Sequence, residues 1–399
     1  MHQIQSLTHH ALGRTDDGTL IPRTLPGETV DLAPDGSARI VTPSPDRVAP
    51  PCRHFKSCGG CAMQHASDAF TAGWKRDIVA RALSARHLQT DILGPDTSPS
   101  QSRRRARLSA RRTKAGTLIG FHARASDTII PIPDCQLLTP ALMATFPALN
   151  ALTRLAASRT AEIGLTVTDT LNGPDIHVST DRALTPALQQ DLTRLATDHR
   201  LARLTWNDDA IVTLAPPAQA MGRAQVAPPP GAFLQATAHG QQTLTRLVDQ
   251  ATTTARRIVD LFAGCGTFSL PLAERADIHA VESDPAMLRA LDRAWRATPH
   301  LHRITTEARD LFRNPLDPDD LKPYDAAVID PPRAGAEAQV TALAQSRIPL
   351  IAMVSCNPVT FARDAATLVT AGFRLGPVTV VDQFRWSAHV ELATRFTRD

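Results

Sequence analysis

The chain has 399 residues, 43% of them apolar and 21% charged, and a formal net charge of +4. That length predicts two or three domains, and the apolar share excludes a disordered chain. No apolar run approaches the roughly 18 residues of a membrane span, and the start Met1-His2-Gln3-Ile4-Gln5-Ser6 lacks the basic residues and apolar core of a signal peptide, so a cytoplasmic location without a membrane partner is expected.

Residues 1–48 are short strand-like pieces separated by Asp16-Asp17-Gly18, Pro26-Gly27-Glu28 and Pro34-Asp35-Gly36, the pattern of a small β module. The stretch from Pro43 to Pro51, with four prolines, reads as its exit linker. A central block, 49–232, opens with Cys52-x5-Cys58-x2-Cys61 and has a remote Cys135. In a reducing compartment six cysteines read as metal ligands, catalytic groups or buried thiols before they read as disulfides. Three clustered thiols plus one distant thiol suit a four-cysteine [4Fe-4S] site, whereas two separated C-x2-C pairs would suit zinc; on spacing alone, structural zinc and plain burial stay open. His54 and His65 flank the group and read as neighbours of the ligands, since four cysteines suffice.

A helix is expected over 68–86, and then the charge becomes local. Between Gln101 and Ala125 there are eight basic residues and no acidic one, which leaves the rest of the chain near −4. Arg103, Arg105, Arg107 and Arg111 fall on one face at strand spacing, with Ala106, Leu108 and Ala110 on the other, and Lys114-Ala115-Gly116 turns the chain into Leu118-Ile119-Gly120-Phe121. A basic hairpin face suits nucleic-acid phosphates; its plain alternative is a solvated arginine surface. At 4% aromatic residues a base-stacking platform is disfavoured. The block closes at Pro228-Pro229-Pro230-Gly231, the clearest domain boundary in the chain.

From 233 to 399 apolar strands alternate with helical segments, which implies a parallel, doubly wound α/β sheet. Arg257 to Leu261 reads as a strand, Ala263 to Gly266 as a glycine loop and Thr267 to Arg275 as a helix, so a ligand can approach backbone amides there. Glu282 follows Gly264 at the distance that suits ribose hydroxyls, and Asp310 and Asp330 end the next strands. Cys356, in Ser355-Cys356-Asn357-Pro358, ends the run Ile348 to Met353 at the edge where open α/β folds bind ligands, and is a candidate nucleophile. Cys265 reads as a small packing residue, and His389 stands on the same face as Glu391 if that segment is a strand.

Asp260 to Thr267 resembles the adenosylmethionine loop of class I methyltransferases. With Phe233-Leu234-Gln235, Asp330-Pro331-Pro332-Arg333, Ser355-Cys356-Asn357-Pro358 and His389-Val390-Glu391 it resembles the RNA 5-methyluridine methyltransferase family. The resemblance implies a class I (Rossmann-like) domain over 233–399, S-adenosylmethionine held by Gln235, Phe262, Thr267, Glu282, Asp310 and Asp330, Cys356 as nucleophile and Glu391 as base. Thr267 departs from the family, which usually has Asn there. The iron–sulfur subclass, typified by the 23S ribosomal RNA enzymes, has the arrangement of Cys52, Cys58, Cys61 and Cys135, which implies a [4Fe-4S] cluster in a central α+β domain, 49–232. Leu7 to Arg14 and Thr24 to Val30 resemble a shortened TRAM domain, an OB-like RNA-binding barrel, over 1–48. The expectation is a monomeric enzyme that methylates carbon 5 of a uridine in 23S ribosomal RNA. A transfer RNA or amino-group methyltransferase and a noncatalytic iron–sulfur RNA-binding protein are the alternatives. The cysteine group and Arg333, where amino-methyltransferases carry an aromatic, count against the first; Cys356 and Glu391 count against the second.

Overall fold

The computed structural model describes residues 1–33 and 37–398, so the expected turn at Pro34-Asp35-Gly36 lies outside the described residues. The carboxyl-terminal sheet is built around five parallel strands in the order Ile304–Ala308, Asp277–Glu282, Arg257–Leu261, Ala326–Ile329 and Leu350–Ser355. Glu391–Thr397 joins Leu350–Ser355 antiparallel, and Val378–Asp382 continues the sheet. Leu350–Ser355 is buried at every position, which explains its unbroken apolar run: a parallel strand covered on both faces has no polar side to show. Helices Ala238–Ala251 and Pro285–Ala297 pack on one face through Leu244, Val248 and Leu291. Asp68–Ser84, Glu337–Gln345 and Pro358–Thr370 cover the other through Val79, Leu83, Val340, Leu343, Phe361 and Leu368.

Strand order reverses between Arg257–Leu261 and Ala326–Ile329, whose ends lie in register at Leu261 and Ile329. At such a reversal the two following loops diverge and leave a crevice at the carboxyl edge. The helix expected over Thr267 to Arg275 is shorter, Ser269–Leu272. Beyond it Glu274 and Arg275 bond back three residues to Pro271 and Leu272, tightening the chain into the next strand.

Two segments that lie in the 49–232 block by sequence belong to this sheet. Ile92–Thr97 pairs in parallel with Val378–Asp382, and helix Asp68–Ser84 packs against Pro358–Thr370. Lys75, in that helix, is fully buried with its Nζ 2.5 Å from Asp382 Oδ1 and 3.3 Å from Phe384 O. Most of the rest of the block forms a seven-stranded sheet, with Arg105–Arg112 an interior strand, packed on helices Phe146–Ala156 and Pro186–Asp198, while Gln219–Met221 and Ala224–Val226 pair with each other and pack into the core of the carboxyl-terminal sheet. The basic hairpin appears as expected, Ser109 opposite Gly120 and Arg112 opposite Thr117. Residues His2 to Thr42 carry a five-stranded antiparallel sheet. No helix among the described residues is long and apolar enough to cross a membrane.

Removing Lys75 alone leaves a carboxylate stranded in the core. Lys75→Met should therefore lower unfolding stability by about 3–5 kcal/mol, and Lys75→Met with Asp382→Leu by much less, as read from denaturant midpoints. Equal losses from the single and double variants would show that the pair does not act as one.

Candidate active site

The first strand delivers Asp260 into the sheet, where it is fully buried; Oδ2 accepts from Ser269 Oγ at 2.6 Å and Oδ1 has no partner. Burial pushes its carboxyl up to about 7, with the nearby Asp330 adding to the effect. The loop beyond turns sharply, with φ of +63° at Phe262, +57° at Gly264 and +95° at Gly266. Glycine serves two different ends there. A Cβ on Gly266 would stand 3.0 Å from Leu291, whereas at Gly264 the nearest atom is Met287 Cε at 4.0 Å, so that backbone is open to an approaching ligand. Gly264 N–H donates to Glu282 Oε2 at 3.0 Å, and Glu282 Oε1 accepts from the Ser283 and Asp284 amides. Asp310 accepts from the Phe312 amide, and Phe312, largely exposed, has its ring 5.4 Å from that of Phe262. Thr267 is half-buried in the same loop.

Past the fourth strand, Asp330 is half-buried, and desolvation pushes its carboxyl up to about 7. Gln235 Nε2 lies 3.3 Å from Asp330 Oδ2, and Gln235 Oε1 accepts from Gln383 Nε2. Glu391 begins the Glu391–Thr397 strand opposite Val381, is 3% exposed and is raised well above the ordinary carboxylate range by burial and by Asp330, with the nearby Gln383 amide opposing. Cys356 is half-buried at the end of Leu350–Ser355; burial and the charges of Glu391 and Asp330 push its thiol up to about 11, with Arg333 opposing. Its position is fixed from the far side. Asn357 caps the next helix by accepting from Val359 N–H and donates Nδ2 to Arg333 O at 2.9 Å, with Pro358 in the first helical turn. Arg333 Nη2 is 3.1 Å from both ring nitrogens of His389 and so stands over the ring face, and burial and nearby cations push that imidazole down to about 4.

Cys356, Arg333 and His389 line a cleft of about 880 Å³ whose other wall is the amino-terminal sheet, with His9, His10 and Arg14. Sequence reasoning missed that wall and missed Gln383. The wall has no local signal. Gln383 follows the Val378–Asp382 strand, and the strand-end logic that found Asp330 would have found it.

Cys52, Cys58, Cys61 and Cys135 are all half-buried and free, and line one small cavity with Phe55, Phe121 and Gln64. Among the described residues no three of their sulfurs lie mutually within 4.8 Å. His54 bonds Asp134 at 2.7 Å, and His65 is buried beside Phe55. Arg103 does not share the expected basic face: it precedes the strand, exchanges backbone bonds with Leu137 and Thr139, and is turned toward Cys61 and Cys135. Arg105 Nη2 donates to Gly231 O at 2.9 Å, so the proline segment lies over part of that sheet; Arg107 is exposed and Arg111 half-buried.

A five-strand parallel order with a reversal beside a glycine loop is that of class I methyltransferases. The structure of Pyrococcus abyssi tRNA (uracil-54, C5)-methyltransferase, in complex with S-adenosyl-L-homocysteine, superposes with a TM-score of 0.77 over 100% of this chain and 99% of that one, at 20% identity. The family model tRNA (Uracil-5-)-methyltransferase matches residues 223–398. An uncharacterized RNA methyltransferase of Brucella suis is 42% identical over 96% of this chain and 93% of its own. The 23S rRNA (uracil(1939)-C(5))-methyltransferase RlmD of Chromohalobacter salexigens is 33% identical over 99% and 89%. The chain belongs to the RNA uracil-5 methyltransferase family.

A thiol raised to about 11 reacts slowly at neutral pH, because only the thiolate attacks. Alkylation of Cys356 in the free protein, followed peptide by peptide, should climb close to tenfold per pH unit up to about 11. A rate already level by about pH 8 would mean that the surroundings favour the thiolate.

Proposed function

We propose that this protein methylates carbon 5 of a uridine in 23S ribosomal RNA through a covalent adduct, with Cys356 as nucleophile and Glu391 as base. The observation that carries the reading is their meeting: a half-buried thiol that lines the cleft at one strand end and a carboxylate buried behind it at the start of another strand act on each other. The 33% identity to the RlmD enzyme over nearly the whole chain supports 23S ribosomal RNA as substrate. S-adenosylmethionine supplies an electrophilic methyl on a positively charged sulfur; Gln235, Phe262, Thr267, Glu282, Asp310 and Asp330 would hold it around the open backbone of Gly264.

Carbon 5 of uracil is a weak nucleophile. Addition of the Cys356 thiolate to carbon 6 moves the ring double-bond electrons into an enolate, whose carbon 5 would take the methyl as the sulfur leaves with the bonding pair as a neutral thioether. Glu391 takes the carbon 5 proton, the double bond re-forms and the thiolate leaves. The base must leave its stack to expose both carbons. The cleft wall formed by the amino-terminal sheet, which we read as an OB-like RNA-binding module, and Arg107 and Arg111 would take the RNA backbone.

Cys356→Ala should neither methylate nor form an adduct, whereas Glu391→Gln should transfer the methyl and stall as a protein–RNA adduct that survives denaturation. A general base contributes about 10²- to 10⁴-fold, so slow release from that adduct is expected. RNA carrying 5-fluorouridine should trap the unaltered enzyme, on 23S fragments and not on transfer RNA. Turnover by Cys356→Ala would sink the mechanism, and trapping on transfer RNA alone the substrate.

The four clustered cysteines fit a [4Fe-4S] cluster better than one zinc ion. Tetrahedral zinc with bonds of about 2.3 Å would draw its four sulfurs to roughly 3.8 Å of each other, and no three of these thiols lie mutually that close. Cys52, Cys58, Cys61 and Cys135 would hold the cluster, which would brace the central domain; no proposed step needs an electron. Protein purified without oxygen should be brown, absorb near about 400 nm and contain on the order of four irons. Stoichiometric zinc in a colourless protein would overturn this.

A further inference from the structure

Gln383 is 2% exposed and all of its amide is engaged. Its Oε1 accepts the Ala236 N–H at 2.8 Å, which fixes the orientation of the group: the NH2 end must face Gln235 Oε1 and the Glu391 carboxylate. Gln235 passes the polarity on, its own Nε2 facing Asp330. Two carboxylates that repel each other are thus linked through two carboxamides, Gln235 donating to Asp330 and the Gln383 NH2 end turned toward Glu391. The amide has no freedom to turn away. A Cβ on Gly240 of the adjoining helix would stand 2.5 Å from Gln383 Cβ, and Lys75 anchors the residues on both sides through Asp382 and Phe384 O.

We propose that Gln383 is the positioning residue of the base, holding the Glu391 carboxylate where it can take the carbon 5 proton and tying it to Gln235 at the methyl-donor site. The inference rests on the covalent reading above. Glu391 faces Asp330, Arg333 and the Cys356 thiol. Asp330 opposes its charge, and Arg333 favours that charge but is also engaged by His389, so the Gln383 N–H is a donor that the carboxylate depends on. The proton that Glu391 accepts neutralises it and must return to solvent before the next turnover.

Gln383→Met keeps the length and removes the donor. Release of methylated RNA should slow at least about tenfold at neutral pH and recover as pH rises, because an unsupported carboxylate ionises only at higher pH. The acid limb of the kcat profile therefore moves up, methylated adduct accumulates, and S-adenosylmethionine binds more weakly. Attack on 5-fluorouridine RNA should keep its normal rate, since that step belongs to Cys356. Methionine also leaves the Ala236 N–H unpaired, so Gln383→Asn, which keeps an amide too short to bridge, serves as a second variant and should behave alike. An unmoved acid limb and normal adduct decay in either folded variant, with the unaltered enzyme still trapped by 5-fluorouridine RNA, would reduce Gln383 to packing alone. If the unaltered enzyme forms no adduct, the covalent reading fails and Gln383 loses its role with it.

Discussion

The buried pair between Lys75 and Asp382 fixes the segment on which the rest of the site depends. Burying two charges costs several kcal/mol in desolvation, and a pair of apolar residues would stabilise a core at least as well. What the pair supplies is position. Lys75 Nζ reaches Asp382 and Phe384 O together, so the turn that contains Gln383 cannot drift from helix Asp68–Ser84. Further along, the Ala62 and Met63 amides both donate to Trp386 O, and Arg385 meets Asp68 at 2.7 Å. The segment from 382 to 391 is therefore gripped by the chain that surrounds the cysteine group and by the helix after it.

The electrostatics of the site follow from that tight enclosure. Asp260, Asp330, Glu391 and Cys356 are each pushed up by burial, and Asp330 adds to the rise at the other three. Such a site resists negative charge while it is empty and welcomes a cation. A methyl donor with positively charged sulfur is the complementary ligand, since its charge favours ionisation of the carboxylates around it. Hydrogen bonds offset part of the cost, from Ser269 to Asp260 and through the Gln235 and Gln383 amides to the other two.

The cleft shows why three sequence blocks cooperate. Its floor carries Cys356 and Arg333 from strand ends of the large sheet, and its far wall is the amino-terminal sheet. Arg104 links further parts: buried, it donates to the Gln219 and Gln241 side chains and to Gln235 O, while its neighbour Arg103 turns toward Cys61 and Cys135. The short run Arg103-Arg104 thus touches the cysteine group on one side and the residue beside Asp330 on the other.

The sequence by itself determined the local pieces: the unbroken apolar strand before Cys356, the glycine loop after Asp260, the hairpin of Arg105–Arg112 and Thr117–His122, and the strand-end positions of Glu282 and Asp330. Each rests on a period, a turn or a strand end that a few neighbouring residues set. Only the tertiary structure placed Ile92–Thr97 at the edge of the large sheet, turned Arg103 inward, joined Asp330, Gln235 and Gln383 by hydrogen bonds and set the Gln383 amide beside Glu391. Those contacts unite residues far apart in the chain, and their partners are chosen by packing and by the need of buried polar groups for one another, which no local pattern records.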